Sequence, residues 1–175
     1  MSVLNPDHLL EQADRLITPP GGGAPRQADL RRAISNAYYA VFHAVAAQAA
    51  DDFVGITHRA SARYALVYRS IDHTPLRKLC EFVERSEEVK KTGQPTKYSR
   101  YSPRAGFGPD LIALAAAVVD LQEKRHLADY DPLFRVRMSD AVLTVATGRT
   151  ALDRFRNANR TSRKAFLSLL VFSPR

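Results

Sequence analysis

Leu30, Ile34, Ala37, Val41 and Val45 recur at spacings of four, three, four and four residues, the pattern of one helix face. Tyr38 and Phe42 widen that face. A face this wide predicts a central helix over "ADLRRAISNAYYAVFHAVAAQAA" with neighbours on two sides. Before it, Leu9, Leu10, Ala13, Leu16 and Ile17 form a face behind Asn5, a good N-cap, and Pro6, which suits a first helical position. Between the two lies "TPPGGGAPRQ", residues 18–27, a cluster of helix breakers that reads as a loop. Thr57 is expected to cap a shorter helix in "HRASARYALVYRSI", and Thr74 with Pro75 to open "PLRKLCEFVERSEEVKK". Pro109 and Asp110 open a helix whose stripe runs Leu111, Leu114, Val118, Leu121. The next helix is expected from about Arg137 to Asn159, with Met138, Ala141, Val142, Val145, Gly148, Leu152 and Phe155 on one face. A glycine inside a helix costs about 1 kcal/mol relative to alanine, so Gly148 points to a close helix crossing. The apolar "AFLSLLVF" is expected to dock the C-terminus or to form an interface.

No segment alternates with period two and β-branched enrichment, so no sheet is expected. The reading is all-α: an up-and-down helical bundle of about five to six helices, in a single domain over residues 1–175. Residues 160–175 form a basic and apolar C-terminal extension of it. One connection is long. "TGQPTKYSRYSPRAGFGP", residues 92–109, has no apolar period, and loops beyond about 12–15 residues are uncommon unless functional or disordered. It interleaves Lys97, Arg100 and Arg104 with Tyr98, Tyr101 and Phe107. Cations of this kind meet phosphates while aromatic faces stack on unpaired bases. The alternative is a surface loop whose aromatics tuck back onto the bundle.

Charge sharpens this picture. The net charge is +8, and residues 132–175 hold nine Lys/Arg against two Asp/Glu. Such a segment suits a polyanion, RNA or DNA, and equally a solvated arginine-rich helix face. No run reaches the roughly 18 apolar residues of a membrane span. The N-terminus lacks a basic-then-apolar signal pattern, so export is not expected and the cytoplasm is the default location. With Cys80 alone there is no internal disulfide, and no Cys/His quartet points to zinc. Neither a metal nor another cofactor is expected.

Two polar constellations carry the candidate chemistry. On the central helix Arg32, Asn36, Tyr39 and His43 are spaced to share a face beside the apolar one. In "AVVDLQEKRHLADYDP" the apolar stripe ends on Arg125, followed by His126, Asp129 and Tyr130. Arg125 is expected to be partly buried and therefore to need a partner. Asp129, four residues on, is in reach of an ion pair with it. The other reading has Arg125 facing a cleft and binding phosphate bidentately, with His126 moving protons near neutral pH. Phosphate loops, Rossmann glycines and zinc-protease helix motifs are all missing.

"RRAISNAYYAVFHA" resembles the central helix of HEPN domains, whose YYA-x-F-H signature matches Tyr38, Tyr39, Ala40, Phe42 and His43. "THR" at 57–59 and "KRHLADYDP" at 124–132 fall where that family places a Ser/Thr-His and an Arg-x-x-Ala-Asp-Tyr segment. The resemblance covers roughly residues 5–160. It implies a dimeric helical bundle, and in many HEPN proteins a metal-independent endoribonuclease built on an Arg, four to six residues and a His. Arg125 matches the arginine and His126 the polar residue after it. The histidine's place is taken by Tyr130, or by Asp131 or Pro132 at the longer spacings. Tyrosine is a weak general base at neutral pH. The resemblance thus implies either a homodimeric RNA-cleaving or RNA-binding protein of toxin or defence type, or a non-catalytic interaction module. The second would dimerise and pair with a nucleotidyltransferase or another protein partner. In the first reading Arg125, His126, Asp129 and Tyr130 are the catalytic candidates, Lys97, Tyr98, Arg100, Tyr101 and Arg104 the RNA-binding ones, and Arg32, Asn36, Tyr39 and His43 a supporting polar face.

Overall fold

Asn5 starts the first helix as its residue type predicts. Its side chain accepts from the Asp7 backbone N–H, and Pro6 occupies the first helical turn of α1 (Pro6–Ile17). The structure, a computed structural model, describes residues 4–19, 21–86, 88 and 96–174. Six more helices follow among them: α2 (Gln27–Val54), α3 (Ala62–Arg69), α4 (His73–Glu84), α5 (Pro109–Tyr130), α6 (Met138–Asn157) and α7 (Arg160–Val171). There is no strand among the described residues, and the fold is an all-α helical bundle. The seven helices of the described residues exceed the expected five to six because "AFLSLLVF" belongs to a helix of its own. Asn159 breaks α6 from α7, and its side chain accepts from the N–H groups of Thr161 and Ser162.

Some boundaries differ from the sequence reading. Gly55, at φ 102, ends α2 in a backbone conformation that suits glycine, and Thr57 then lies in a 3₁₀ turn (Ile56–His58). The cap of α3 is Ser61, which accepts from the Tyr64 N–H. Helix α4 begins at His73, two residues before Pro75. The expected continuation of this helix to residue 91 falls partly on residues 87 and 89–91, outside the described residues, as do residues 92–95 of the long connection. From 96 onward that connection contains a 3₁₀ turn (Ser99–Tyr101).

The chain groups into two compact units. One comprises Met1–Leu4, Val45–Ala116 and Arg154–Arg175. Its buried residues include Val45 and Ala49 of α2, Leu76, Leu79 and Val83 of α4, Leu111 and Leu114 of α5, and Phe166 and Leu170 of α7. Helix α4 packs on α7. Each leucine sealed here contributes about 1.5–3 kcal/mol relative to exposure. The other unit comprises Asn5–Ala44 and Ala117–Asp153. It buries Leu10 and Ala13 of α1, Leu30, Ile34, Ala37 and Val41 of α2, Val118 and Leu121 of α5, and Val145 and Leu152 of α6. The close crossing expected at Gly148 is here. A methyl group on Gly148 would lie 3.1 Å from both the Cβ and the carbonyl oxygen of Ala37, so the two helix backbones approach because glycine lacks a side chain. No helix of the described residues is long and apolar enough to cross a membrane.

Candidate functional site

Helix periodicity carries the stripe Val118, Leu121, Arg125, Ala128 along the inner face of α5, and the arginine is drawn inward with it. Its side chain is 12% exposed. A buried guanidinium needs acceptors, and three sources answer. Asp129, one turn on, places Oδ2 2.8 Å from Nε as an ion pair, although that N–H is not aligned on the oxygen as a hydrogen bond. Nη2 donates to the Tyr39 hydroxyl on α2 at 2.6 Å. The rings of Tyr39, Tyr130 and Tyr38 then surround the guanidinium carbon at 5.2, 5.4 and 5.9 Å. Burial works against the charge of Arg125. The hydrogen bond it donates to Tyr39 and the attraction of Tyr39, Asp129 and Tyr130 outweigh it, and the pKa ends above the ordinary arginine value.

Asp129 is itself held. The fully buried Ser35 of α2 donates its hydroxyl to Oδ1. One turn earlier on α2, Arg31 donates to the carbonyls of Ala128 at 2.7 Å, Asp131 at 2.5 Å and Phe134 at 3.3 Å. These are carbonyls at and beyond the C-terminus of α5, where a cation offsets the helix dipole. Gln27 adds a reciprocal pair with the backbone of Val136, donating at 2.8 Å and accepting at 2.9 Å. The end of α5 and the stretch after it are therefore stitched to α2 by Ser35, Arg31 and Gln27.

The four residues expected to act together are together, in unequal settings. His126 is exposed and its ring lies 5.1 Å from that of Tyr130, which is 63% exposed. Arg125 and Asp129 are engaged with each other. The supporting polar face of α2 divides. Tyr39 joins Arg125, and His43 stacks on Tyr39 with ring centroids 5.9 Å apart. Asn36 is buried and donates to Gln12 of α1 at 3.0 Å, while Arg32 is exposed. In the other unit Tyr98 is 6% exposed, its ring 5.1 Å from Phe82, and Phe107 is buried against the same Phe82. The Tyr98 ring is thus committed to the core, with Lys97 over it at 5.1 Å. Tyr101 is 57% exposed, with Arg100 over its ring at 5.8 Å, and Arg104 is exposed.

Two participants, Arg31 and Ser35, are not singled out by the sequence, and Tyr38 is expected only on the apolar face and in the YYA signature. Ser35, Arg31 and Tyr38 reach the arginine cluster, yet Ser35 and Asp129 are 94 residues apart in the chain. A hint existed in spacing alone, since Arg31, Ser35, Tyr38 and Tyr39 fall within one helical stripe.

Chemically, the cluster can hold a charged arginine in a fixed geometry. A phosphate approaching Arg125 would have to displace or share with a carboxylate already paired to it. Fold and site together define an all-α bundle carrying an internally paired Arg–Asp–Tyr cluster where α2 meets α5. Comparison of the chain with protein-family models, curated proteins and solved structures finds no match.

Proposed function

We propose that the protein is a HEPN-like, RNA-associated helical module that binds rather than cleaves, with Arg125 in a structural role. The observation that carries this is the pairing of Arg125 with Asp129 at 2.8 Å in a side chain only 12% exposed. A ribonuclease arginine must be ready to neutralise a developing phosphorane, with its donors aimed at that charge. Here one Nη2 N–H is given to Tyr39 and the charge is already neutralised by Asp129. The proton-transfer side is equally thin: His126 is exposed on the outer side, and Tyr130 stands where the resemblance calls for histidine. RNA association draws its support from the cations of the first unit, where Lys97, Arg100, Arg104, Arg160 and Lys164 are exposed.

A second reading, compatible with the first, is assembly with a second copy or with a nucleotidyltransferase-type protein of a toxin–antitoxin or defence pair in the cytoplasm. Tyr130, Leu133, Met138, Val142 and Leu143 favour it, being large apolar side chains exposed within the second unit.

Incubation of the purified protein with tRNA and total RNA in EDTA tests the binding reading. Wild type and Arg125→Ala should leave the same trace cleavage, while both shift RNA in a binding assay. Cleavage by wild type that a folded Arg125→Ala lacks would make Arg125 catalytic and sink the proposal.

A further inference from the structure

In the first unit, α7 and the end of the chain form a cavity of about 540 Å³ lined by Tyr101, Ala165, Ser168, Leu169, Phe172 and Pro174. That lies within the roughly 300–1,000 Å³ of small-ligand sites. Its floor is apolar, and its two aromatic walls are both displayed, Tyr101 at 57% and Phe172 at 60% exposure. Burying those rings would gain free energy, and the fold leaves them out.

The two segments that carry the lining residues are one-sided in charge. Residues 96–108 and 154–174 hold eight Lys/Arg and no Asp/Glu. Among these cations Arg154 pairs with Asp110 at 2.9 Å, and Arg163 donates to the carbonyls of Phe155 and Arg156. Arg100, Arg104, Arg160 and Lys164 are exposed. Arg100 lies against the same Tyr101 ring that lines the cavity. The Ser162 hydroxyl donates to the Gly106 carbonyl at 3.4 Å, tying the basic segment to α7.

A second groove of about 230 Å³ shares Ser168 and Phe172 with the first and is lined also by Ala49, Asp52, Phe53, Lys164, Leu167 and Val171. Asp52 and Lys164 offset each other in this groove, whereas no carboxylate lines the Tyr101 cavity. The polarity of the pair therefore places an anionic backbone on the Tyr101 side.

We propose that the Tyr101–Phe172 cavity and its rim of arginines and lysines bind an unpaired polynucleotide strand, a base entering the cavity and the phosphates lying on the cations. The inference rests on the RNA-associated reading above and names the surface and the form of nucleic acid. Each ingredient has a separate task. Cations attract any phosphate chain, paired or not. Exposed aromatic rings add affinity only where a base face is free, and in a duplex every base face is stacked on its neighbours. Apolar concavity plus acid-free rim thus selects the single strand.

The test is fluorescence anisotropy of the full chain with a labelled RNA of about ten nucleotides, the corresponding single-stranded DNA, and the RNA duplex. Both single strands should bind more tightly than the duplex. Tyr101→Ala and Phe172→Ala should each weaken single-strand binding about tenfold and duplex binding little. Arg100→Ala should weaken both and lower the salt slope by about 0.7. Arg15→Ala, an exposed cation on α1, serves as the control and should change binding less than about twofold. Tyr101 is exposed enough that its alanine variant keeps the fold, so it decides the matter if Phe172→Ala proves unstable. If wild type binds single strands and neither Tyr101→Ala nor Arg100→Ala changes this, the cavity is wrong and the RNA-associated reading survives. If wild type binds no polynucleotide, both fall. Tighter binding to polyglutamate or to phosphatidylserine vesicles than to RNA, lost in Tyr101→Ala, would reassign the surface and overturn the proposal.

Discussion

Removing Arg125 is the sharpest perturbation of the second unit. Arg125→Ala deletes the ion pair to Asp129, the donor to Tyr39 and the cation between three tyrosine rings. Breaking a fully buried pair costs about 3–5 kcal/mol, whereas an exposed pair is worth about 0–1. With side chains 12% and 25% exposed, this pair lies toward the buried limit. Asp129 keeps the Ser35 hydroxyl, which softens the loss. The expected destabilisation is about 3 kcal/mol. Urea unfolding followed by circular dichroism reads this as a lower midpoint at unchanged slope. Heating reads it as a fall of about 6–12 °C for a chain of this size. A double-mutant cycle with Asp129→Ala should return a coupling of about 1–2 kcal/mol. A loss below about 0.5 kcal/mol, the range of ordinary surface substitutions, would refute the structural reading of Arg125.

Gly148→Ala sets a helix-propensity gain of about 1 kcal/mol against an overpacking cost of about 1–3. The added methyl meets the Ala37 Cβ and backbone at 3.1–3.3 Å, so backbone must move and the net expectation is a loss of about 1 kcal/mol in urea unfolding, with equal or greater stability refuting the close-crossing argument. Tyr64 has its pKa pushed up from 10.0 to about 12, first by burial and then by its hydrogen bond to Asp51. The folded state then holds the phenolic proton more tightly than the unfolded one, so this stabilisation is complete below pH 10 and is lost as pH rises toward 12. Wild type should therefore lose stability more steeply than Tyr64→Phe across that window, and parallel curves would exclude the effect. Cys80 is fully buried, and burial pushes its thiol up. A disulfide reagent should find no reactive thiol in the native protein and one in denaturant, and rapid native labelling would contradict the packing of α4.

Local chemistry explains which parts of this fold are legible in the chain. Asn5 with Pro6, the Leu111–Leu114–Val118–Leu121 stripe and Gly148 each declare themselves through rules that act within one helix or at one crossing. Helix α3 starts later than Thr57 predicts because two cap-type residues compete there. Thr57 loses to Ser61 once Gly55 turns the backbone at φ 102 and a 3₁₀ turn takes up the residues between. The long basic segment could be recognised as special, but its aromatics could not be sorted. Nothing adjacent to Tyr98 or Tyr101 distinguishes the ring that meets Phe82 from the ring left in solvent.

The arginine cluster shows where such reading stops. Periodicity places Arg125 inward and Asp129 one turn away, and both placements follow from the sequence alone. It cannot say which helix stands opposite. Once α2 is there, Ser35 fixes Asp129, Tyr39 takes Nη2, and Arg31 anchors the chain that follows. The Ser35 contact removes freedom from the carboxylate that neutralises the arginine. A phosphate arriving from solvent competes against a partner tethered on the same helix and held by the Ser35 hydroxyl. Charge alone would have left Arg125 equally suited to either role. The geometry of its neighbours tips the balance toward the ion pair, because α2 holds the aspartate in place rather than drawing it away.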